Sequence, residues 1–288
     1  QFRTYLNATV ASRDSPLAKI QVDEVLYELR HGNGRGLGGH LPGACITPMF
    51  IASKGDKNQK VSLRAIPRSS DFFTHEVDEM VLSGQADVGV HSAKDLPVPL
   101  RDGLEIMALT HGVDRTDSLV LRPGTDVTSP SFCHAKDGGP PIIATSSGRR
   151  EQCVRDLGGS ARGFRFTDVR GTIGIRLQKM WDGEVDGVVV AEAAMLRLHL
   201  GHLNRVTLPG TTTRFQGQLA IVGRAGDMEA RRVFGPLDSR PTEGHTTLHC
   251  GLDAARWLAP GTVIHRPLIK ILPCPAGPGT PVHSMVTA

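Results

Sequence analysis

The chain has 288 residues, of which 39% are hydrophobic and 22% are charged, and its formal net charge is +4. This length exceeds one minimal domain and suits two or three compact lobes. No apolar run approaches the roughly 20 residues of a transmembrane helix. Aromatic residues make up only 5% of the chain, which leaves few surfaces for stacking bases. The composition therefore argues against a membrane-spanning protein and against a nucleic-acid-binding protein.

The five cysteines lie far apart, and no pair has the Cys-x-x-Cys spacing of a zinc site. Neither a structural metal nor a disulfide framework is therefore expected. Residues 1–8 lack the basic and then apolar layout of a secretory signal. These features favour a reduced, cytoplasmic setting.

Predicted strands and helices alternate along the chain, which is the pattern of an α/β protein. A strand over 9–12 leads to Ser15-Pro16, a typical helix start with proline in the first turn. A glycine-rich loop over 31–43 follows that helix. The next predicted elements are a strand over 45–52, a helix over 74–83 and a strand over 87–91.

The pattern restarts after residue 110, which predicts a second α/β lobe. Its predicted strands cover 117–122, 142–145, 164–168 and 187–190, and its helices cover 147–157, 172–181 and 193–200. We expect a first lobe over 1–110, with 209–228 returning to it, and a second lobe over 111–208. Residues 229–288, rich in Pro, Gly and His, are predicted to be a reduced or atypical third domain or tail.

The segment His91-Ser92-Ala93-Lys94-Asp95-Leu96-Pro97 carries a hydroxyl, an ammonium group and a carboxylate directly after an apolar strand. Ligands of open α/β folds bind beyond the carboxyl ends of strands, where this segment lies. A solvated turn with an ion pair is the alternative interpretation, because charged turns are common. The position of this segment in the sequence is compatible with both interpretations.

A second strand runs into Thr145-Ser146-Ser147-Gly148-Arg149-Arg150. Two arginines in a first helical turn oppose the helix dipole, and a bound anion would resolve that conflict. Two solvated arginines on an exposed face are the alternative. Arginine recurs at or after other strand ends, as Arg13, Arg170, Arg176 and Arg197. Because guanidinium groups bind carboxylates bidentately and keep their proton, the set suits a polyanionic small molecule.

These motifs, in this order, resemble those of the porphobilinogen deaminase (hydroxymethylbilane synthase) family over most of residues 9–224. The matching segments are 12–18 (SRDSPLA), 91–97 (HSAKDLP), 145–150 (TSSGRR), 169–177 (VRGTIGIRL) and 216–219 (QGQL). The resemblance implies two α/β lobes like those of type II periplasmic binding proteins, with a small third domain.

The resemblance also implies a transferase of heme biosynthesis that condenses four porphobilinogen molecules into linear hydroxymethylbilane and releases ammonia. It implies that Asp95 is the catalytic carboxylate and that a covalent dipyrromethane cofactor shares its cleft. By resemblance, the residues lining this cleft are Arg13, Ser15, Ser92, Lys94, Thr145, Ser147, Arg149, Arg150, Arg170, Arg176 and Arg197. A monomer with porphobilinogen as its small-molecule partner is expected.

Three features depart from the family's pattern. The usual Gly-Gly-Lys-Gly-Leu-Phe loop reads Arg68-Ser69-Ser70-Asp71-Phe72-Phe73, and Phe215 stands where a glycine is usual. No Gly-Gly-Cys-x-x-Pro loop, which carries the cofactor in the family, occurs in the sequence. Cys250 is the better candidate for attachment, since Cys274 lies between two prolines that stiffen its backbone. An incidental cysteine is the alternative in both cases.

Residues 265–273 resemble part of the opening of a uroporphyrinogen-III synthase, which predicts a remnant or a truncated fusion in the tail. Two other functions stay open beside the active transferase. The missing attachment loop favours a catalytically impaired relative that still binds pyrroles. A solute-binding module of the same two-lobe fold is disfavoured by the His-Ser-x-Lys-Asp stretch and by the missing export signal.

Overall fold

The computed structural model describes residues 7–31, 45–58, 61–67, 69–129, 131–158 and 163–240. Its strands are β1 (Asn7–Arg13), β2 (Cys45–Ile51), β3 (Val88–Ser92), β4 (Leu104–Leu109), β5 (Asp117–Leu121), β6 (Ile142–Ala144), β7 (Arg165–Thr167), β8 (Gly187–Ala191), β9 (Arg205–Thr207) and β10 (Leu219–Arg224). Its helices are α1 (Pro16–His31), α2 (Lys54–Lys57), α3 (His75–Leu82), α4 (Gly148–Gly158), α5 (Ile173–Trp181), α6 (Glu192–Arg197) and α7 (Met228–Phe234). Arg68, most of the glycine-rich loop and the tail with Cys250 and Cys274 lie outside the described residues.

The strands form two five-stranded sheets, in the orders β2-β1-β3-β10-β4 and β7-β6-β8-β5-β9. In the first sheet β1 pairs in parallel with β2 and β3, and β10 runs antiparallel between β3 and β4. In the second sheet β6 pairs in parallel with β7 and β8, and β5 runs antiparallel between β8 and β9. In each sheet one strand runs antiparallel to both of its neighbours. This strand, β10 in the first sheet and β5 in the second, is the first strand after the chain has crossed from the other sheet. The predicted architecture of two α/β lobes is confirmed.

Helices cover both faces of each sheet because their apolar residues recur at helical spacing. In α1 the buried positions include Val22, Val25 and Leu29, which pack on one face of the first sheet. Val77 and Val81 of α3 pack on its other face. The helices α5 and α6 cover one face of the second sheet, and α4 covers the opposite face. Each lobe is therefore a three-layer α/β/α sandwich.

The helix α7 begins at the Asp227 cap, whose side chain accepts a hydrogen bond from the Ala230 amide at 2.9 Å. Its Val233 and Phe234 are buried in the core beside α1. This helix extends the first lobe past residue 228, where the sequence places the lobe's end. The division into three regions otherwise stays a prediction. Among the described residues, no helix combines the length and the apolar character needed to cross a membrane.

The return to the first lobe passes through two residues with left-handed backbone. Phe215 has φ +60° and Gly217 has φ +89°. A side chain at Gly217 would start 2.2 Å from the backbone oxygen of Asp114, so only glycine fits there. The left-handed region costs residues other than glycine roughly 1–2 kcal/mol, so Phe215 holds a conformation that a glycine would adopt without strain.

Candidate active site

A cleft of about 540 Å³ opens between the lobes at the carboxyl ends of their parallel strands. Arg13 ends β1, Ser92 ends β3, Arg170 follows β7, and Arg197 lies on the helix that follows β8. The cleft brings together most of the residues that the sequence analysis proposed. Those lining it are Arg13, Ser15, Ser92, Lys94, Asp95, Arg150, Arg170, Arg176 and Arg197.

Asp95 and Lys94 lie on a single 3-10 turn, Ala93–Asp95, directly after β3. The Ser92 hydroxyl accepts a hydrogen bond from Nε2 of Gln21 at 2.9 Å. Nζ of Lys94 lies 3.4 Å from Oε1 of Gln216. No described residue donates a hydrogen bond to the Asp95 carboxylate, so its oxygens can accept hydrogen bonds from a ligand in the cleft.

The buried Asp117 holds the start of α4. Its Oδ2 accepts a hydrogen bond from Arg149 at 2.7 Å, and its Oδ1 accepts from Arg150 at 2.6 Å. Gln216 also donates to Oδ1, at 3.1 Å. Burial opposes the ionisation of Asp117, but the two arginines outweigh it and lower the pKa of this carboxyl. Asp117 is therefore an anion, and it holds both guanidinium groups in place.

Positive charge exceeds negative charge around Lys94 and Arg176. Burial, followed by the nearby charge of Arg150, lowers the pKa of Lys94 to about 8. Burial and then the charges of Arg150, Arg170 and Arg13 lower the pKa of Arg176 to about 10. Burial is the larger cause of both shifts, and repulsion between the neighbouring cations adds to it, so a bound anion would relieve the second cause. The arrangement is that of a site for several carboxylates.

Two cleft arginines contact α2. Nε of Arg13 donates to Oδ2 of Asp56 at 3.1 Å, and a terminal nitrogen donates to Oδ1. A terminal nitrogen of Arg170 donates to the backbone oxygens of Gly55 and Asn58, each at 2.9 Å. Nε of Arg170 is buried and has no hydrogen-bond partner, so this guanidinium retains an unused donor.

Arg197 joins the lobes. Its Nε and a terminal nitrogen donate to the carboxylate of Glu24 on α1, at 2.6 and 2.9 Å, and it also donates to the backbone oxygen of Gly217. The pKa of the neighbouring Glu28 is raised to about 7, chiefly by burial and then by the charge of Glu24. Arg197 therefore contributes to the junction of the lobes as well as to the cleft wall.

Three residues that the sequence suggested for the cleft lie beside it rather than on its lining, namely Thr145, Ser147 and Arg149. Arg149 points to Asp117 and to the backbone oxygen of Thr211, at 2.6 Å. Thr145 is buried at the end of β6, and its hydroxyl accepts a hydrogen bond from the Ser147 amide at 3.3 Å. These residues shape the loop before α4, which carries Arg150 into the cleft.

Several residues that organise the cleft are not predicted by the sequence. No local sequence pattern marks Asp56 or Asp117 as a cleft residue, because the arginines that they contact lie far away in the chain. Gln216 stands in a recognised motif, but its contact with Lys94 emerges only in the fold. Arg64 also bridges the lobes, donating to Asp168, to Glu151 and to the backbone oxygen of Thr145. No signal in the sequence distinguishes it from a surface arginine.

Five arginines and the Asp95–Lys94 turn lie in the central cleft of this two-lobed α/β protein, an arrangement that can bind a polyanionic small molecule. Residues 8–232 match the family model described as porphobilinogen deaminase, dipyromethane cofactor binding domain. The chain belongs to the porphobilinogen deaminase family. It is 32% identical over 228 residues to a probable porphobilinogen deaminase of Chlamydia pneumoniae, an alignment that spans 79% of this chain and 88% of that protein.

A porphobilinogen deaminase of Prochlorococcus marinus (strain MIT 9303) is 33% identical over 238 residues, covering 81% of this chain and 69% of the relative. Among solved structures, substrate binding domain 2 of Lactococcus lactis GlnP matches 82% of this chain and 90% of its own, with a TM-score of 0.45 and 13% identity. An ABC transporter structure from Parabacteroides distasonis matches 80% of this chain and 70% of its own, with a TM-score of 0.46 and 12% identity.

Proposed function

We propose that this chain is a transferase that condenses four porphobilinogen molecules into linear hydroxymethylbilane, with release of ammonia, in heme biosynthesis. The observation that carries the proposal is the Asp95 carboxylate in a cleft lined by five arginines. Family membership supports the same reaction. We infer further that the protein acts in the cytoplasm, in keeping with its widely spaced cysteines. We also propose that it acts as a monomer.

The arginines match the charge of the substrate. Each porphobilinogen carries one acetate and one propionate, so a growing chain of pyrroles accumulates carboxylates. Arg170 and Arg176 can each bind a carboxylate, Arg150 keeps one terminal nitrogen that does not contact Asp117, and Lys94 adds a point charge. Because Asp117 fixes Arg150, part of this site is formed before a ligand arrives.

Asp95 is proposed to act on the reacting pyrrole. The substrate loses its aminomethyl nitrogen as ammonia and becomes an electron-poor methylene pyrrolenine. A carboxylate that accepts hydrogen bonds from pyrrole N–H groups stabilises this developing positive charge and can relay protons. Asp95 suits this role because its carboxylate lines the cleft and accepts no hydrogen bond from the described residues.

The cleft also fits a dipyrromethane, whose carboxylates match the surplus of cations around Lys94 and Arg176. The unpartnered Nε of Arg170 is a further donor for such a group. When bound, the dipyrromethane supplies the pyrrole carbon to which the first porphobilinogen is joined. The residues that would hold it are Lys94, Arg150, Arg170 and Arg176, and Cys250 is proposed as its covalent attachment.

A catalytically impaired pyrrole-binding relative is the second candidate, and the missing Gly-Gly-Cys motif is the observation that favours it. Release of ammonia and formation of a linear tetrapyrrole from porphobilinogen would support the transferase, whereas binding without turnover would support the impaired relative. Intact masses of the parent, Cys250→Ser and Cys274→Ser test the attachment. A dipyrromethane-sized increment that persists in Cys250→Ser would exclude Cys250.

A further inference from the structure

Arg13 is already paired with a carboxylate of the protein itself. The Asp56 carboxylate uses both oxygens to accept hydrogen bonds from Nε and a terminal nitrogen of Arg13, and both residues line the cleft. This is the bidentate geometry by which arginine binds a ligand carboxylate. The Arg13 guanidinium also lies 4.7 Å from the centre of the Phe73 ring. A ligand carboxylate that binds through Nε and the same terminal nitrogen therefore competes with Asp56 for these donors.

The local structure holds Asp56 in this position as an anion. Its Oδ2 accepts hydrogen bonds from the amide and the hydroxyl of Ser53, at 3.1 and 2.8 Å, in a capping box that begins α2. Burial opposes ionisation, but hydrogen bonds from Arg13 and Ser53 outweigh it and lower the pKa of Asp56. A side chain at Gly55 would start 2.3 Å from the Phe73 ring, so glycine permits the close approach of α2.

The same turn reaches the second lobe. Arg170 donates to the backbone oxygens of Gly55 and Asn58, so α2 contacts one cleft arginine from each lobe. A bound polyanion that engages both arginines would have to replace contacts that α2 makes now. The carboxylate of Asp56 is the charged member of these contacts and the one that most closely resembles a ligand group.

We infer that Asp56 is an internal competitor for ligand carboxylates, which occupies Arg13 in the free protein and must be displaced before a ligand can bind there. The inference rests on the proposed ligand-binding role of Arg13. The competition sets the affinity of the cleft for carboxylates, because each ligand gains a pair with Arg13 only by breaking an existing one. Asp56 thereby lowers the affinity for ligands whose other contacts are too weak to offset the loss of the Arg13–Asp56 pair.

The test measures binding of a pyrrole that carries one acetate and one propionate but lacks the aminomethyl group, so that it cannot react. Calorimetric titration compares the parent, Asp56→Asn, Arg13→Leu and the double variant. Asp56→Asn keeps an oxygen that can accept from Ser53 but removes the charge that competes for Arg13. We expect its Kd to fall about fivefold, as for loss of a partly buried ion pair, and we expect this gain to vanish in the Arg13→Leu background.

Asp137→Asn is the matched control, because it removes the same charge from a surface pair with Arg165 that lies outside the cleft lining. Its Kd should equal that of the parent, and an equal gain there would overturn the inference by showing a general charge effect. If Asp56→Asn binds no tighter while Arg13→Leu weakens binding, Asp56 is not a competitor, although Arg13 remains a ligand residue. If Arg13→Leu changes nothing in either background, the proposed role of Arg13 fails as well. Melting temperatures verify that each variant is folded.

Discussion

Arg150 donates from Nε and from a terminal nitrogen to one oxygen of Asp117, Oδ1, at 3.0 and 2.6 Å. Asp117 begins β5, whereas Arg150 lies in the first turn of α4 and reaches into the cleft. The conflict between two arginines and the positive end of a helix is thus resolved by a carboxylate of the protein. The cations around Lys94 and Arg176 remain in excess, so they are available to pair with a ligand anion.

Asp117→Asn should lower the free energy of unfolding by about 3 kcal/mol, because breaking a buried charge pair leaves its partners without compensation. Urea unfolding measures this change. Asp137→Asn is the control, since Asp137 pairs with Arg165 at the surface and such pairs contribute little. Equal effects of the two substitutions would show that Asp117 does not organise the start of α4.

The pH dependence of stability should also change in Asp117→Asn. The folded pKa of Asp117 is lowered, so its contribution is complete above the unfolded pKa of about 3.9 and is lost as pH falls through the folded pKa. The parent should therefore lose stability below about pH 4 more steeply than Asp117→Asn. Unfolding curves between about pH 6 and pH 3 measure both slopes. Parallel slopes would exclude this linkage.

Asp95→Asn should lower turnover of porphobilinogen by a factor of about 10² or more, as expected for removal of a group that stabilises a developing charge. The melting temperature should hardly change, because the substitution is nearly isosteric and no described residue hydrogen-bonds to this carboxylate. Asp137→Asn, which removes a surface carboxylate paired with Arg165, serves as the control. Turnover close to that of the parent would remove Asp95 from the mechanism.

Arg149→Leu and Arg170→Leu should both weaken binding of the unreactive diacid pyrrole, with the larger loss in Arg170→Leu. Arg170 lines the cleft and has an unused buried donor, whereas Arg149 acts through Asp117 and the Thr211 backbone. Titration at two salt concentrations should also show a shallower salt dependence for Arg170→Leu. Arg165→Leu, which removes a surface ion pair, is the control. Unchanged affinity in Arg170→Leu would contradict a polyanion-binding cleft.

Binding of the same diacid should weaken as pH rises through about 8, because the Lys94 ammonium, whose pKa is lowered to that value, then loses its charge. Lys94→Met should bind more weakly at neutral pH, and its difference from the parent should narrow as the pH rises. Lys179→Met, which removes a surface partner of Glu184, should retain the pH profile of the parent. A constant difference between the parent and Lys94→Met across this range would argue against titration of Lys94.

The sequence predicts most of the longer elements, but it predicts none at the residues of β4, β9, β10, α2 and α7. The strand β9 spans only Arg205–Thr207 and α2 only Lys54–Lys57, which is too short for a period to be seen. The strand β10 is buried along most of its length, so it lacks the alternation that marks a half-exposed strand. Its place between β3 and β4 depends on backbone hydrogen bonds to both of them.

The sequence by itself determined the α/β class, the family and the candidates Asp95, Lys94 and the arginines, because local spacing and ordered motifs carry that information. Only the tertiary structure decided how these residues are paired. Arg197 meets Glu24 across 173 positions of the chain, and Arg13 meets Asp56 across 43. Such pairs form because two sheets bring distant strand ends to one cleft, where a buried charge is stabilised by a partner of opposite charge that the sequence places far away in the chain.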